Sequence, residues 1–170
     1  MKIVKLFIFG ISISSIIFMG SCSSKEEPTY EKVDTMKIRA SNYFKGYKPS
    51  KFVDDKMSTF WHSDEPPGNF DWVSISYEKL FKVSKYTIAR RSDISSQAPV
   101  EFILEGASTP EFPDSDTKWE TIDKQENQIW DDNIKTYTIK LPKDFIHYRL
   151  RIIQTGDGMF ASIAEWKLEK

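Results

Sequence analysis

The sequence carries one cysteine, Cys22, and only two histidines, His62 and His147. A lone cysteine excludes an intramolecular disulfide and any multi-cysteine zinc site. Charge of one sign is also missing: 24 basic residues stand against 25 acidic ones, a formal net charge of −1. That balance withholds the phosphate attraction on which nucleic-acid binding rests, so no nucleic-acid partner is expected. No G-x-S-x-G, H-E-x-x-H, P-loop or G-x-G-x-x-G string occurs, which leaves the familiar nucleophile, zinc and phosphate sites without support. Acids are plentiful, but their spacing singles out no pair of the kind glycoside hydrolysis needs. No enzyme activity is expected, and no catalytic residue is assigned. What the chain does have is 39% hydrophobic and 14% aromatic residues, five of them Trp, enough for one globular domain.

The N-terminus reads as an address. Lys2 and Lys5 precede an almost wholly apolar run from Leu6 to Met19, closed by Met19-Gly20-Ser21-Cys22. Charge, a short hydrophobic run and small residues in that order describe a secretory signal rather than a membrane span, which needs about 20 apolar residues. The segment resembles a bacterial lipoprotein signal with its lipobox, with Met19 where lipoboxes favour Leu. The resemblance implies a signal peptide over 1–21, cleavage before Cys22, and thioether-linked lipid and palmitate on that residue. Losing Lys2 and Lys5 and no acid takes the net charge from −1 to −3. Residues 22–36 then read as a lipidated polar tether. Its Lys25-Glu26-Glu27 resembles the acidic export tag of Bacteroidetes lipoproteins, which implies an outer-membrane protein displayed at the cell surface. Membrane contact through the lipid anchor alone is expected.

From about Met36 the chain reads as strands. Trp72-Val73-Ser74-Ile75-Ser76-Tyr77 places Val73, Ile75 and Tyr77 on one face, and Val100, Phe102 and Leu104 share another. Thr136–Leu141 and Tyr148–Ile152 alternate as cleanly, with His147 just ahead of the latter as a packed or surface residue. Turn clusters fall at Asp64–Asn69, Thr109–Asp114 and Thr155–Gly158. The pattern predicts an all-β antiparallel sandwich over 37–170, with a helical turn or two near Ser50–Asp54 and binding loops at the sandwich ends.

One loop differs. Lys51 to Ser63 packs acids, hydroxyls and aromatics into a turn. A hard cation such as Ca²⁺ takes six to eight oxygens from carboxylates, hydroxyls and backbone carbonyls, and an Asp, a Thr and several carbonyls supply most of such a shell. The Asp spacing, turn Gly and closing Glu of an EF-hand are absent.

Asp54-Asp55-Lys56-Met57-Ser58-Thr59-Phe60-Trp61-His62-Ser63 resembles the Asp-Gly-x-x-x-Thr-x-Trp-His-Ser/Thr loop of the discoidin, or factor V/VIII C-type, family, which includes the family 32 carbohydrate-binding modules. Trp72-Val73-Ser74-Ile75, Arg91-Ser92-Asp93 with Gln97, Tyr148-Arg149-Leu150-Arg151 and Ala161-Ser162-Ile163-Ala164-Glu165 are similar to later family motifs in the same order. The resemblance covers residues 38–170 and implies a discoidin-like jelly roll with a structural Ca²⁺ site. Lys51, Lys56 and Ala164 would offer carbonyls, Asp54 and Glu165 carboxylates, and Thr59 its hydroxyl and carbonyl. Asp55 stands where the family has Gly; a position needing positive φ accepts Asp better than most residues.

The resemblance also implies a binding face of His62, Arg91, Gln97 and Phe160 for a galactose-type or related glycan. A flat ring covers the C–H face of a pyranose while Arg and an amide donate to hydroxyls. Gln97, one methylene longer than the family's Asn, reshapes the pocket. Alternation puts Arg91 on the strand face of Thr87 and Ala89, toward solvent, and Trp130 is a second candidate for exposure. The expected function is non-catalytic glycan binding beside separate glycan-degrading enzymes. The other reading is an adhesion or scaffold module that recognises protein or phospholipid, with Met159-Phe160 as an apolar spike.

Overall fold

The computed structural model describes residues 30–33, 36–64 and 71–170. The signal over 1–21, lipidation at Cys22, most of the 22–36 tether and the Asp64–Asn69 turn beyond Asp64 lie outside the described residues. Eleven strands are described: β1 Tyr30–Val33, β2 Met36–Ala40, β3 Trp61–His62, β4 Asp71–Lys82, β5 Lys85–Ala89, β6 Pro99–Ala107, β7 Glu120–Gln125, β8 Ile134–Thr138, β9 Asp144–Thr155, β10 Ser162–Ile163 and β11 Glu165–Glu169. They form a six-stranded sheet in the order β1-β2-β4-β9-β6-β7, a three-stranded sheet β11-β5-β8 and a short pair β10-β3. Every pairing is antiparallel. The end of the expected tether, Tyr30–Val33, adds the edge strand β1 by pairing with β2.

The period-2 pattern sets the core. Val73, Ile75, Phe102, Leu104, Tyr148, Leu150 and Ile152 of the larger sheet meet Tyr86, Ile88 and Trp166 of the smaller one in a single buried cluster. Trp61 and Trp166 are its largest fully buried side chains, and burial of each Val, Leu, Ile or Phe around them stabilises the fold by about 1.5–3 kcal/mol. The sandwich expected from alternation is the one observed. The helical turn near Ser50–Asp54 is a 3-10 turn at Pro49–Phe52 with Pro at its start. A second 3-10 turn, Asp116–Lys118, is capped by the Ser115 hydroxyl.

Alternation does not account for the outer face of the larger sheet. Ser74, Ser76, Glu105, His147 and Arg149 occupy the outward positions and are nonetheless buried. The segment after β6 crosses that face. Phe112 packs on Trp72, Trp119 and His147, and Arg149 lies under the Trp119 ring. Burying such polar groups calls for partners; Glu105 serves two arginines, Arg149 Nε donating to Oε2 at 2.7 Å and Arg151 Nη2 reaching Oε1 at 2.9 Å, and the Ser76 hydroxyl meets His147 Nδ1 at 2.7 Å. Asp116 on the crossing segment accepts from Arg149 Nη1 at 2.8 Å. The Thr109–Asp114 cluster is therefore part of a covering strap.

Candidate functional site

The short pair β3–β10 places the site. Trp61 faces Ile163 and His62 faces Ser162. Successive strand side chains point to opposite faces, so the burial of Trp61, whose Nε1 donates to the Asn42 carbonyl at 2.9 Å, turns His62 outward. The segment after β2 folds onto this strand. Phe44 N donates to the His62 carbonyl and His62 N to the Tyr47 carbonyl. The Phe44–Tyr47 turn closes through Tyr47 N on the Phe44 carbonyl, with Lys45 at φ 45°. Phe44 and Tyr47 thereby stack on each other at 6.3 Å and both come up beside His62, with ring centroids 6.2 and 5.9 Å away.

The opposite wall comes from the segment between β9 and β10. Asp157 Oδ1 accepts from the Thr155 hydroxyl and from the amides of Met159 and Phe160. That turn carries the Phe160 ring to 5.2 Å from His62. It is stapled to the segment after β5: Ser96 Oγ donates to Asp157 Oδ2, and Asp157 N to the Ser96 carbonyl. A Cβ on Gly156 would lie 2.9 Å from that carbonyl, so only glycine permits the approach.

Arg91 completes the arrangement. Its Nε and Nη2 donate to the two oxygens of Asp93 at 2.6 and 2.8 Å, and Nη1 to Gln97 Oε1 at 3.3 Å. The hydrogen-bonded guanidinium holds the Asp93 carboxyl below its usual range. Arg91 lies 4.0 Å above the Phe60 ring, and Tyr47 stacks on Phe60 at 4.7 Å. Two groups cannot occupy one face at those distances, so Phe60 is sandwiched between them.

The result is a cavity of about 290 Å³ lined by Phe44, Tyr47, His62, Asp64, Arg91 and Phe160. Of the residues expected from sequence, His62, Arg91 and Phe160 come together here. Gln97 does not line the cavity; it is nearly buried and braces Arg91 from behind. Arg91 is positioned otherwise than alternation suggests, because β5 ends at Ala89 and Arg91 sits in the following loop with its side chain 16% exposed. Trp130 is half-buried against the core, with Nε1 donating to the Pro99 carbonyl. Sequence reasoning missed Phe44, Tyr47 and Asp64. The available signal was the aromatic-rich Tyr43-Phe44-Lys45-Gly46-Tyr47 stretch, whose Lys-Gly interruption marks a turn with exposed rings.

A second constellation lies where the Lys51–Ser63 loop meets β11. Thr59 Oγ1 donates to the Asp54 carboxylate at 2.8 Å, and Lys56 N donates to Asp54 Oδ1 at 3.1 Å and to Glu165 Oε1 at 2.9 Å. Ala164 is tied to β5 through its amide on the Ala89 carbonyl, which sets Glu165 at the strand start. Asp55 has φ 58°, the left-handed conformation that favours glycine, and its carboxylate meets Lys167 Nζ at 2.5 Å. Lys51 Nζ stands 3.6 Å from Asp54 Oδ2. Glu165 Oε2 is buried with no partner. Burial first, then the negative charges of Asp54 and Asp55, push the Glu165 carboxyl above its ordinary value.

The F5/8 type C domain model matches residues 37–166. No curated protein sequence matches the chain. Among solved structures, the module CpGH89CBM32-5 from Clostridium perfringens, in complex with GalNAc-β-1,3-galactose, is 19% identical with a TM-score of 0.67, the match covering 80% of this chain and 96% of that one. The family 32 module of C. perfringens NanJ in complex with galactose is 22% identical with a TM-score of 0.64, covering 79% and 93%. Chitosan-binding module 1 of a Paenibacillus chitosanase/glucanase is 15% identical with a TM-score of 0.67, covering 80% and 96%. At such identities these structures speak to the fold. Together with the family match across the whole sandwich, they lead to one conclusion: the chain belongs to the F5/8 type C, or discoidin, domain family.

Proposed function

We propose that this protein binds glycan without cleaving it, at the Phe44–Tyr47–His62–Asp64–Arg91–Phe160 cavity. The observation that carries the reading is the composition of that cavity: aromatic faces on several sides with a pinned guanidinium between them. Rings cover the apolar face of a sugar, and two Arg91 N–H groups remain to meet its hydroxyls. The volume lies at the lower end for ligand pockets and suits a small ligand unit such as a terminal sugar. The solved structures of similar fold include modules bound to galactose and to GalNAc-β-1,3-galactose, which supports the same reading. So does the stapling of the two wall loops, which reduces the ordering cost of binding. A glycan array followed by isothermal titration tests it: binding that is lost in both His62→Ala and Arg91→Ala is expected, and absence of binding to any glycan overturns it.

Within this reading Ca²⁺ holds the Lys51–Ser63 loop to β11. Asp54, Thr59 and Glu165 converge there, and the partnerless buried Glu165 Oε2 is an acceptor that a cation would satisfy. Among the described residues no cluster of three or more His, Cys, Asp or Glu occurs, so the remaining ligands would be the neutral carbonyls of Lys51, Lys56, Thr59 and Ala164. Such a set of hard oxygens fits Ca²⁺ better than a transition metal. The protein acts from the cell surface, anchored through lipid on Cys22, and presents glycan to separate degrading enzymes. Met159, 54% exposed beside Phe160, favours the second reading, phospholipid contact. Liposome sedimentation beside the array separates the two.

A further inference from the structure

The charges around the cavity are unevenly compensated. His62 Nδ1 lies 2.6 Å from the Ser63 carbonyl; a carbonyl only accepts, so Nδ1 carries the proton and Nε2 is left as an acceptor. Asp64, exposed at the rim, is acceptor-only when ionised. Its backbone is fixed by its amide donating to Asn42 Oδ1 at 2.7 Å, and its carboxylate makes no ion pair among the described residues. The donors among the described lining side chains are Arg91, with three of its five N–H groups already spent on Asp93 and Gln97, and the Tyr47 hydroxyl, which can also accept. The charge of Arg91 is offset by Asp93. Lys45 lies over the Phe44 ring and outside the lining. Among the described residues, Asp64 is therefore the lining charge without an ion-pair partner, beside the rings of Phe44, Tyr47 and Phe160.

We infer that the cavity selects a sugar bearing a free amine, a 2-amino-2-deoxyhexose, with its ammonium set between the Asp64 carboxylate and His62 Nε2. An ammonium brings three donors and no acceptor, which matches the two acceptors. It also gains from the aromatic faces, whose quadrupoles attract cations. A hydroxyl brings one donor and no charge, and an N-acetyl group removes the charge and adds bulk. An anionic sugar meets Asp64 with like charge. The inference rests on the glycan-binding reading and assigns Asp64 as the residue that sets preference within it.

The test is titration of the whole protein with glucosamine, N-acetylglucosamine and galactose at neutral pH. A charge-assisted hydrogen bond should favour glucosamine by about tenfold over the other two. Asp64→Asn should bring that ratio to about one. Because the pair is solvent-accessible, the preference should also shrink between 0.1 M and 1 M salt, as the screening length falls from about 10 to about 3 Å. Equal or tighter binding of either neutral sugar, or a ratio untouched by Asp64→Asn, overturns the inference while leaving glycan binding intact. Binding of no sugar, on these probes or on an array, overturns the glycan reading itself and this inference with it.

Discussion

The carboxylate of Glu165 accepts from the backbone amide of Lys56 at 2.9 Å, across 109 positions of sequence. One end of the domain is thereby fastened to the other beside Asp54, and the second oxygen of Glu165 is buried without a partner. If Ca²⁺ completes this junction, binding stabilises the native state by mass action, about 2.7 kcal/mol at a hundredfold excess over Kd. We expect full chelation to lower the melting temperature by several degrees, and Glu165→Gln to abolish the difference between calcium and chelator. An unchanged midpoint after complete metal removal counts against the site.

In the cavity, Tyr47→Ala removes a wall and also the ring that backs Phe60, on whose other face Arg91 lies. Arg91→Ala removes the donors. Each should weaken glycan binding by about tenfold or more, the usual scale for a central aromatic or Arg anchor. Both side chains lie outside the core cluster, so thermal melts should move little. Loss of binding matched by an equal loss of folded protein would refute a direct role.

Glu105 holds both Arg149 and Arg151 beneath the strap. Glu105→Ala removes the buried carboxylate shared by Arg149 and Arg151 and leaves Arg149 paired with the more exposed Asp116; removing one member of a buried pair costs up to about 3–5 kcal/mol. Urea denaturation should show this loss. A change below 1 kcal/mol would mean that the strap opens to water.

His147 is buried, with Nε2 donating to the Thr109 carbonyl and Nδ1 accepting from the Ser76 hydroxyl. Burial first, then the nearby positive charge of Arg39, hold its pKa below 6.5. A depressed histidine pKa means that the unfolded chain takes up the proton first. Its stability contribution is full above about pH 6.5 and is lost as pH falls through the native pKa. Melts of the protein and of His147→Gln should diverge on the acid side only; parallel curves from pH 8 to pH 5 would contradict the assignment.

The sandwich was legible because alternation reports which strand face is apolar, and Val73, Ile75, Phe102, Leu104, Leu150 and Ile152 lie where it put them. The same alternation hid the strap. Alternation sets Arg149, Ser74 and Ser76 on the face opposite the apolar one, and the partners that make burial of Arg149 and Ser76 tolerable, Glu105, Asp116 and His147, are distant in sequence. At the cavity, His62, Arg91 and Phe160 were legible through resemblance to a family loop pattern. Phe44 and Tyr47 were not, since exposed rings on an irregular turn carry no period. Gln97 shows a further limit: a matched position does not say which way a side chain faces, and here it faces Arg91.

Trp61 and His62 are neighbours in a strand of two residues, one locked in the interior and the other forming the floor of the cavity. A slip of one position would exchange them, drowning the imidazole and ejecting the indole. Docking of β3 onto β10 and creation of the cavity are therefore a single event, and no correctly folded form of this domain lacks the floor. Variation in the shape and charge of the cavity is left to the loops around it, where Asp64, Phe44, Tyr47 and Phe160 can change without disturbing the interior.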